Sequence, residues 1–222
     1  VLLVGHMHVI CDPAINAKLY FHTDFVSVDD STPDKGRPGD PGNSAVANTL
    51  IDWVLKAYEH DRLLPYPALL VLGPFMQPER QTEFMDRASR LKRVDAITFH
   101  SHLEALVARA AGVVAMGGYN TFCEVLSLNK RALIVPRTEP RLEQFIRISR
   151  AAALGLVSML VDDGRRDAAA MAAALRLLPR RNLPGDVVVP GLLEGLKNVN
   201  RLVAPWLESA ENEQPQEQSR IA

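Results

Sequence analysis

The stretch "VVAMGGYNTFCE", residues 113–124, decides the fold: an apolar run, two consecutive glycines, and then a change to a helix-forming pattern. No polar residue interrupts Val113 to Met116, so the run reads as a strand buried on both faces. Gly117 and Gly118 end it, and the spacing behind them predicts a helix from about Asn120 to Leu128. The glycines admit two readings. Many strands end on glycine for steric reasons alone. Equally, residues without a Cβ let the backbone approach a ligand closely, and the helix start behind them offers N–H groups and the positive dipole end to an anion such as a diphosphate. The dinucleotide fingerprint G-x-G-x-x-G is absent.

Outward from this unit, apolar runs alternate with helical spacing. Upstream come the predicted helix "SAVANTLIDWVLKAYEH" (44–60), the strand "ALLVLG" (68–73), the helix "PERQTEFMDRASRL" (78–91), the strand "VDAITF" (94–99) and the helix "SHLEALVARA" (101–110). Downstream follow the strand "RALIVP" (131–136), the helix "RLEQFIRISRAAAL" (141–154) stopped by Gly155 as a C′ glycine, the short strand "LVSML" (156–160) and an alanine-rich helix. A last amphipathic helix carries Leu192, Leu196, Val199 and Val203 on one stripe. Strands and helices alternating through short connections predict an α/β fold with a parallel sheet and right-handed crossovers. Ligands bind beyond the carboxyl ends of such strands. That rule points at the connections Gly73–Gln77, Phe99–His102, Gly117–Thr121 and Pro136–Gln144.

The remaining chain sets boundaries. Residues 29–43, "DDSTPDKGRPGDPGN", hold three prolines and three glycines and read as a flexible linker. The polar tail 209–222 reads as disordered. The chain opens on Val1-Leu2-Leu3-Val4, without methionine, directly into an apolar run, which suggests a chain whose first part lies elsewhere. A net charge of −1 over 222 residues gives no polyanion-binding surface, so nucleic acid is not an expected partner. Cys11 and Cys123 form no paired motif and read as reduced thiols. No apolar run reaches the ~20 residues that span a bilayer.

Three constellations carry possible chemistry. Thr121-x-x-Glu124 fits a capping box, yet a carboxylate one turn into this helix also suits a ribose diol; with Asn120 as N-cap, Glu124 falls outside the box. "VPRTEPRLEQ" (135–144) leads from a strand through Arg137, Glu139 and Arg141 to Glu143 and Gln144 at a helix start. Guanidinium groups there suit phosphate oxygens, and the alternative is a solvated loop with surface ion pairs. His6-x-His8 and His100-x-His102 lack further ligands at metal-site spacing, so no metal is expected.

The unit strand-GGYN-x-x-CE-helix (113–128), followed by strand-VPR-x-x-PR-x-EQ-helix (131–154), resembles the C-terminal, nucleotide-sugar-binding half of GT-B glycosyltransferases. It is most similar to glycosyltransferase family 28, which includes the N-acetylglucosaminyltransferase making lipid II, and within it to a group of predicted bacterial glycosyltransferases. The resemblance covers roughly residues 45–207 and is sharpest at 113–157. It implies a Rossmann-like sheet with helices on both faces, the C-terminal half of a GT-B fold, with the N-terminal half largely missing.

The resemblance also implies roles. Gly117, Gly118, Tyr119, Asn120 and Thr121 would wrap the donor diphosphate, and Glu124 would bind ribose. Glu143 and Gln144 would hold the sugar, while Phe99 and His100 would contact the base. Arg137 and Arg141 match the family's "PR…PR" run, and their charge suggests the diphosphate. Residues 1–28 would then be a remnant of the N-terminal domain and 44–208 the donor domain. The family's first strand and glycine-rich loop have no counterpart in "STPDKGRPGDPGNSAVANTL", and no general base is identifiable.

The implied function is sugar transfer from a nucleoside diphosphate sugar, UDP-linked, to an unknown acceptor, with no cofactor beyond that co-substrate. The acceptor site would lie in a separate domain or subunit. The expected location is the cytoplasm, either free or peripheral at the inner membrane face. The alternatives are a non-catalytic nucleotide-sugar-binding or partner-binding half-domain and a GT-B nucleotide-sugar epimerase; a nicotinamide-dependent dehydrogenase lacks its glycine fingerprint.

Overall fold

The structure, a computed structural model, describes residues 20–21, 41–73, 76–100, 103–138 and 142–212. Six strands alternate with helices. They are β1 (Tyr20–Phe21), α1 (Pro41–His60), β2 (Ala68–Val71), α2 (Pro78–Ser89), β3 (Val94–Ile97), α3 (Leu103–Ala108) and β4 (Val113–Ala115). Then come α4 (Tyr119–Ser127), β5 (Ala132–Ile134), α5 (Glu143–Ala153), β6 (Ser158–Met159), α6 (Ala168–Leu177) and, after two short 3-10 turns, α7 (Gly195–Asn212).

Every strand pair is parallel, as the alternation predicts. β2 lies between β1 and β3, with Tyr20 opposite Leu69 and Leu70 opposite Ala96. β5 lies between β4 and β6, with Val114 opposite Leu133 and Ile134 opposite Met159. The strands thus form two three-stranded sheets, β1-β2-β3 and β4-β5-β6, and β1 packs beside β4, which sets the two side by side in the spatial order β3-β2-β1-β4-β5-β6. The chain therefore winds outward in both directions from the β1/β4 boundary. Right-handed crossovers put α1 and α2 on one face and α4 and α5 on the other. α6 returns to the first face and packs on α1.

Burial follows that placement. β2, β4 and β5 are buried along their whole length, because helices cover both faces of the sheet. Over residues 49–60, α1 buries most of its circumference, including Leu50, Ile51, Trp53, Val54, Leu55 and Tyr58, between the sheet and its helical neighbours. The Trp53 indole donates to the Asp167 carbonyl at 2.8 Å. Asp167 caps α6, its carboxylate accepting the Ala169 N–H. α5 ends as its sequence predicts: Gly155 takes φ +78, and Leu156 N–H bonds to the Ala151 carbonyl in a Schellman arrangement.

On the outer surface of α1, Asp52 meets Lys56 and Arg87, each at 2.7 Å, and Arg87 also reaches Glu59 at 2.8 Å. Partial burial alone would raise the Asp52 pKa, but the hydrogen bonds from Lys56 and Arg87 outweigh it and hold the carboxyl below its usual 3.8. A depressed carboxylate contributes stability above its unfolded pKa and loses it as pH falls through the folded one. The urea midpoint of the wild type should therefore drop on acidification below about pH 4, and Asp52→Asn, about 1 kcal/mol less stable at neutral pH, should flatten that drop. An equal acid slope in the variant would show that this pair contributes nothing.

Four boundaries differ from the sequence expectation. The Tyr20–Phe21 strand, in the stretch assigned to a preceding domain, pairs with β2 inside this sheet. Register with Leu69–Leu70 is a long-range property that local pattern does not carry. The helix α1 starts at Pro41, three residues inside the predicted linker, since proline suits a first helical turn. The chain divides into two compact units, Val1–Val187 and Val188–Ala222, so the expected single domain 44–208 is cut near its end. The break falls in the Pro- and Gly-bearing segment 188–195, where Val188 is 90% exposed and anchors nothing. α7, in the second unit, runs to Asn212, four residues into the predicted tail; the rest of that tail, and most of residues 1–43, lie outside the described residues. Among the described residues no helix is long and apolar enough to cross a membrane.

Candidate nucleotide-sugar site

In open α/β sheets, ligands bind where strand order reverses, beyond the carboxyl ends of the strands. Here that point is the β1/β4 boundary, and the residues leaving β4 there are Met116, Gly117 and Gly118. The two glycines have different reasons to be glycine. Gly117 takes φ +82, and a Cβ on it would stand 2.6 Å from the Ile134 methyl and 2.9 Å from Ile148. Gly118 takes φ −53 and ψ 154, open to any residue, and is the N-cap of α4 without a side chain to cap it. No side chain caps this helix start. The first intrahelical bond is Phe122 N–H to the Gly118 carbonyl, at 2.9 Å.

This start corrects the capping-box reading. With Gly118 as N-cap, Thr121 is the third helical residue and its side chain is fully buried; Glu124 lies a full turn further, half-buried, out of box position. Tyr119 is 66% exposed and Asn120 is exposed, at the mouth of the site.

The second predicted loop arrives beside the first, because β5 is the neighbour of β4. Arg137 follows β5 and is half-buried. Gln144, in the first turn of α5, accepts the Arg137 backbone N–H at 3.3 Å, so the loop is tied at both ends. Glu143 opens α5 and is exposed. Arg141 and Glu139 lie outside the described residues. One turn beyond Gln144, Arg147 donates to the Gly117 carbonyl at 3.3 Å and holds its guanidinium 5.4 Å from the Tyr119 ring centre. Sequence reading missed Arg147; the available signal was its i, i+3 spacing from Gln144, which puts both on one helical face.

The contacts thus join 117, 119, 137, 144 and 147. Phe99, half exposed, and His100 follow β3, which is separated from β4 by β2 and β1, so they stand apart from this cluster along the sheet edge. A cleft of about 450 Å3 also opens at the carboxyl edge, lined by Trp53, Met116, Arg137, Thr138, Asp162 and Arg166 among others. Arg166 pairs with Asp162 at 2.8 Å, which leaves Arg137 as the cleft's other guanidinium. Among the described residues no cluster of His, Cys, Asp or Glu is arranged to hold a metal ion.

Comparison with known proteins bears on this geometry. Residues 42–145 match the family described as the glycosyltransferase family 28 C-terminal domain, a span that starts after β1 and includes the glycine loop and the Arg137–Gln144 connection. No curated protein matches significantly. Among solved structures, the chain is similar to the crystal structure of the glycosyltransferase VinC in complex with dTDP, with a TM-score of 0.45 and 22% identity over 59% of this chain and 29% of that one. It is also similar to CalG4, the calicheamicin glycosyltransferase, with a TM-score of 0.45 and 18% identity over 60% of this chain and 31% of that one. The chain thus spans less than a third of the length of either structure. The family match covers 104 of the 222 residues, a little under half of the chain.

Proposed function

We propose that this chain is the donor-binding half of a glycosyltransferase that takes its sugar from a nucleoside diphosphate sugar, UDP-linked. The observation that carries the reading is the uncapped start of α4 at the switch point of the sheet, inside the family-matched segment. The amides of Tyr119, Asn120 and Thr121, with the helix dipole behind them, suit the two phosphates. Glu124, on α4 beyond the capping-box position, suits the ribose diol. Gln144 spends its carbonyl oxygen on Arg137 and keeps its amide hydrogens for a sugar hydroxyl, with Glu143 beside it. Phe99 offers an exposed ring for a base, with His100 next to it.

The chemistry would be displacement of the nucleoside diphosphate by an acceptor hydroxyl. Bond breaking moves negative charge onto the departing diphosphate, and preorganised amides aimed at that charge lower the barrier. The acceptor site and general base belong, in this reading, to another domain or subunit, at the cytoplasmic side of any membrane acceptor. A non-catalytic half-domain would bind the same donor; mixing with an acceptor-binding partner and finding no transfer would favour it.

The test is calorimetric titration of the full chain with UDP and UDP-sugars, with dTDP as comparison. Saturable binding is expected for UDP, weakened roughly tenfold or more by Glu124→Ala through loss of charge-assisted hydrogen bonds. Absence of saturable binding by the wild type to any of these nucleotides would refute the donor reading.

A further inference from the structure

We infer that Arg147 is a positioning residue that fixes the Gly117–Gly118 peptide so that its N–H, not its carbonyl, faces an incoming diphosphate. The inference rests on the donor reading given above and names a residue and a device that reading does not contain.

A glycine–glycine peptide is the easiest kind to flip, because neither residue has a Cβ to oppose rotation of the plane. The two orientations differ in charge. In one, the Gly118 N–H points into the site and attracts an anion; in the other, the Gly117 carbonyl oxygen points there and repels it. Because the peptide is trans, its C=O and N–H point in opposite directions. Whatever holds the carbonyl therefore aims the N–H.

Arg147 holds the carbonyl. Its Nη1 donates to the Gly117 oxygen at 3.3 Å, from the α5 side. The same guanidinium lies 5.4 Å from the ring centre of Tyr119, the first residue of α4, so the planar group is braced against a ring as well. One side chain thus contacts both the flippable peptide's own carbonyl and the ring of the residue that follows Gly118. Gln144, three residues earlier on the same helical face, ties the neighbouring loop through the Arg137 N–H. α5 therefore registers both donor loops at once. Arg147 forms no salt bridge with an acidic group among the described residues, so its charge also adds to the positive potential at the start of α4.

The experiment compares wild type, Arg147→Ala, Arg147→Lys and Tyr119→Leu in titrations with UDP and with uridine, alongside the amide spectrum of the ligand-free protein. Arg147→Ala is expected to weaken UDP about tenfold while leaving uridine within twofold, since only the phosphates feel the peptide orientation. The Gly118 and Tyr119 amide resonances should shift in the free variant. Arg147→Lys, which keeps the charge but loses the planar stack, should recover only part of the UDP affinity, and Tyr119→Leu should reproduce part of the loss. Unchanged UDP affinity in Arg147→Ala, with wild-type binding intact, would overturn this inference alone. An equal loss of UDP and uridine would overturn it too, as would full recovery by lysine, which would leave charge as the sole agent. Failure of the wild type to bind UDP would instead overturn the donor reading and the diphosphate role with it.

Discussion

Replacing Gly117 with alanine is expected to lower stability by about 2–5 kcal/mol, the sum of about 1–2 kcal/mol for a side chain at left-handed φ and about 1–3 kcal/mol for overpacking. The cause is local and double: φ is +82, and the new methyl would sit 2.6 Å from Ile134 and 2.9 Å from Ile148, both buried. For a chain of this size the loss corresponds to a fall in melting temperature of roughly 10 °C. Gly118→Ala is the informative partner, because φ −53 and ψ 154 carry no backbone strain. It should cost under about 1 kcal/mol of stability, yet its methyl would stand at the uncapped helix start and weaken nucleotide binding. Thermal melts read the first effect and UDP titration the second. Equal stability losses at the two positions would contradict this division of labour.

Trp53→Ala should be the other large effect, about 3–5 kcal/mol. The ring is 2% exposed and packs in the core under the cleft, and its indole N–H is donated to the carbonyl of Asp167, the residue that caps α6. Removing it opens a cavity and loosens the seam between α1 and α6. Trp53→Phe keeps most of the volume and loses the hydrogen bond, so a cost nearer about 1 kcal/mol is expected. Fluorescence gives a second readout: Trp206 is 75% exposed, so the blue-shifted emission of the native chain should come from Trp53 and vanish in either variant. Chemical denaturation of the three proteins checks the order; a Phe variant as unstable as the Ala variant would mean the hydrogen bond, not the packing, dominates.

The parallel α/β architecture was legible because its strands are short apolar runs stopped by Gly or Pro, such as "ALLVLG" and "RALIVP", with amphipathic helices between them. The Gly155 stop was legible for the same reason: one residue type suits one backbone conformation. What the pattern does not carry is pairing at a distance. Tyr20–Phe21 gives no local sign that it will sit beside Leu69–Leu70, and the proline-rich stretch behind it looks like a boundary. That the loops after β4 and β5 lie side by side was legible, since the strands they follow are neighbours. The α4 start was misread by one residue, Asn120 for Tyr119, because a glycine at the N-cap leaves no side-chain signature. Arg147 was hidden in an ordinary amphipathic helix, where a basic residue normally signals only solvent.

The position of β1 changes where this chain can be divided. A protein engineer guided by composition would cut at the linker and express residues from 44 onward, taking the proline- and glycine-rich stretch for a seam between independent modules. That cut removes the strand against which both β2 and β4 lie. β2 would then lose its paired neighbour and β4 the strand packed beside it, leaving on β2 a naked edge of backbone amides and carbonyls, the kind of edge that recruits strands from other chains. The folded unit is therefore longer than the family-matched segment: its first strand lies on the far side of a stretch that looks dispensable.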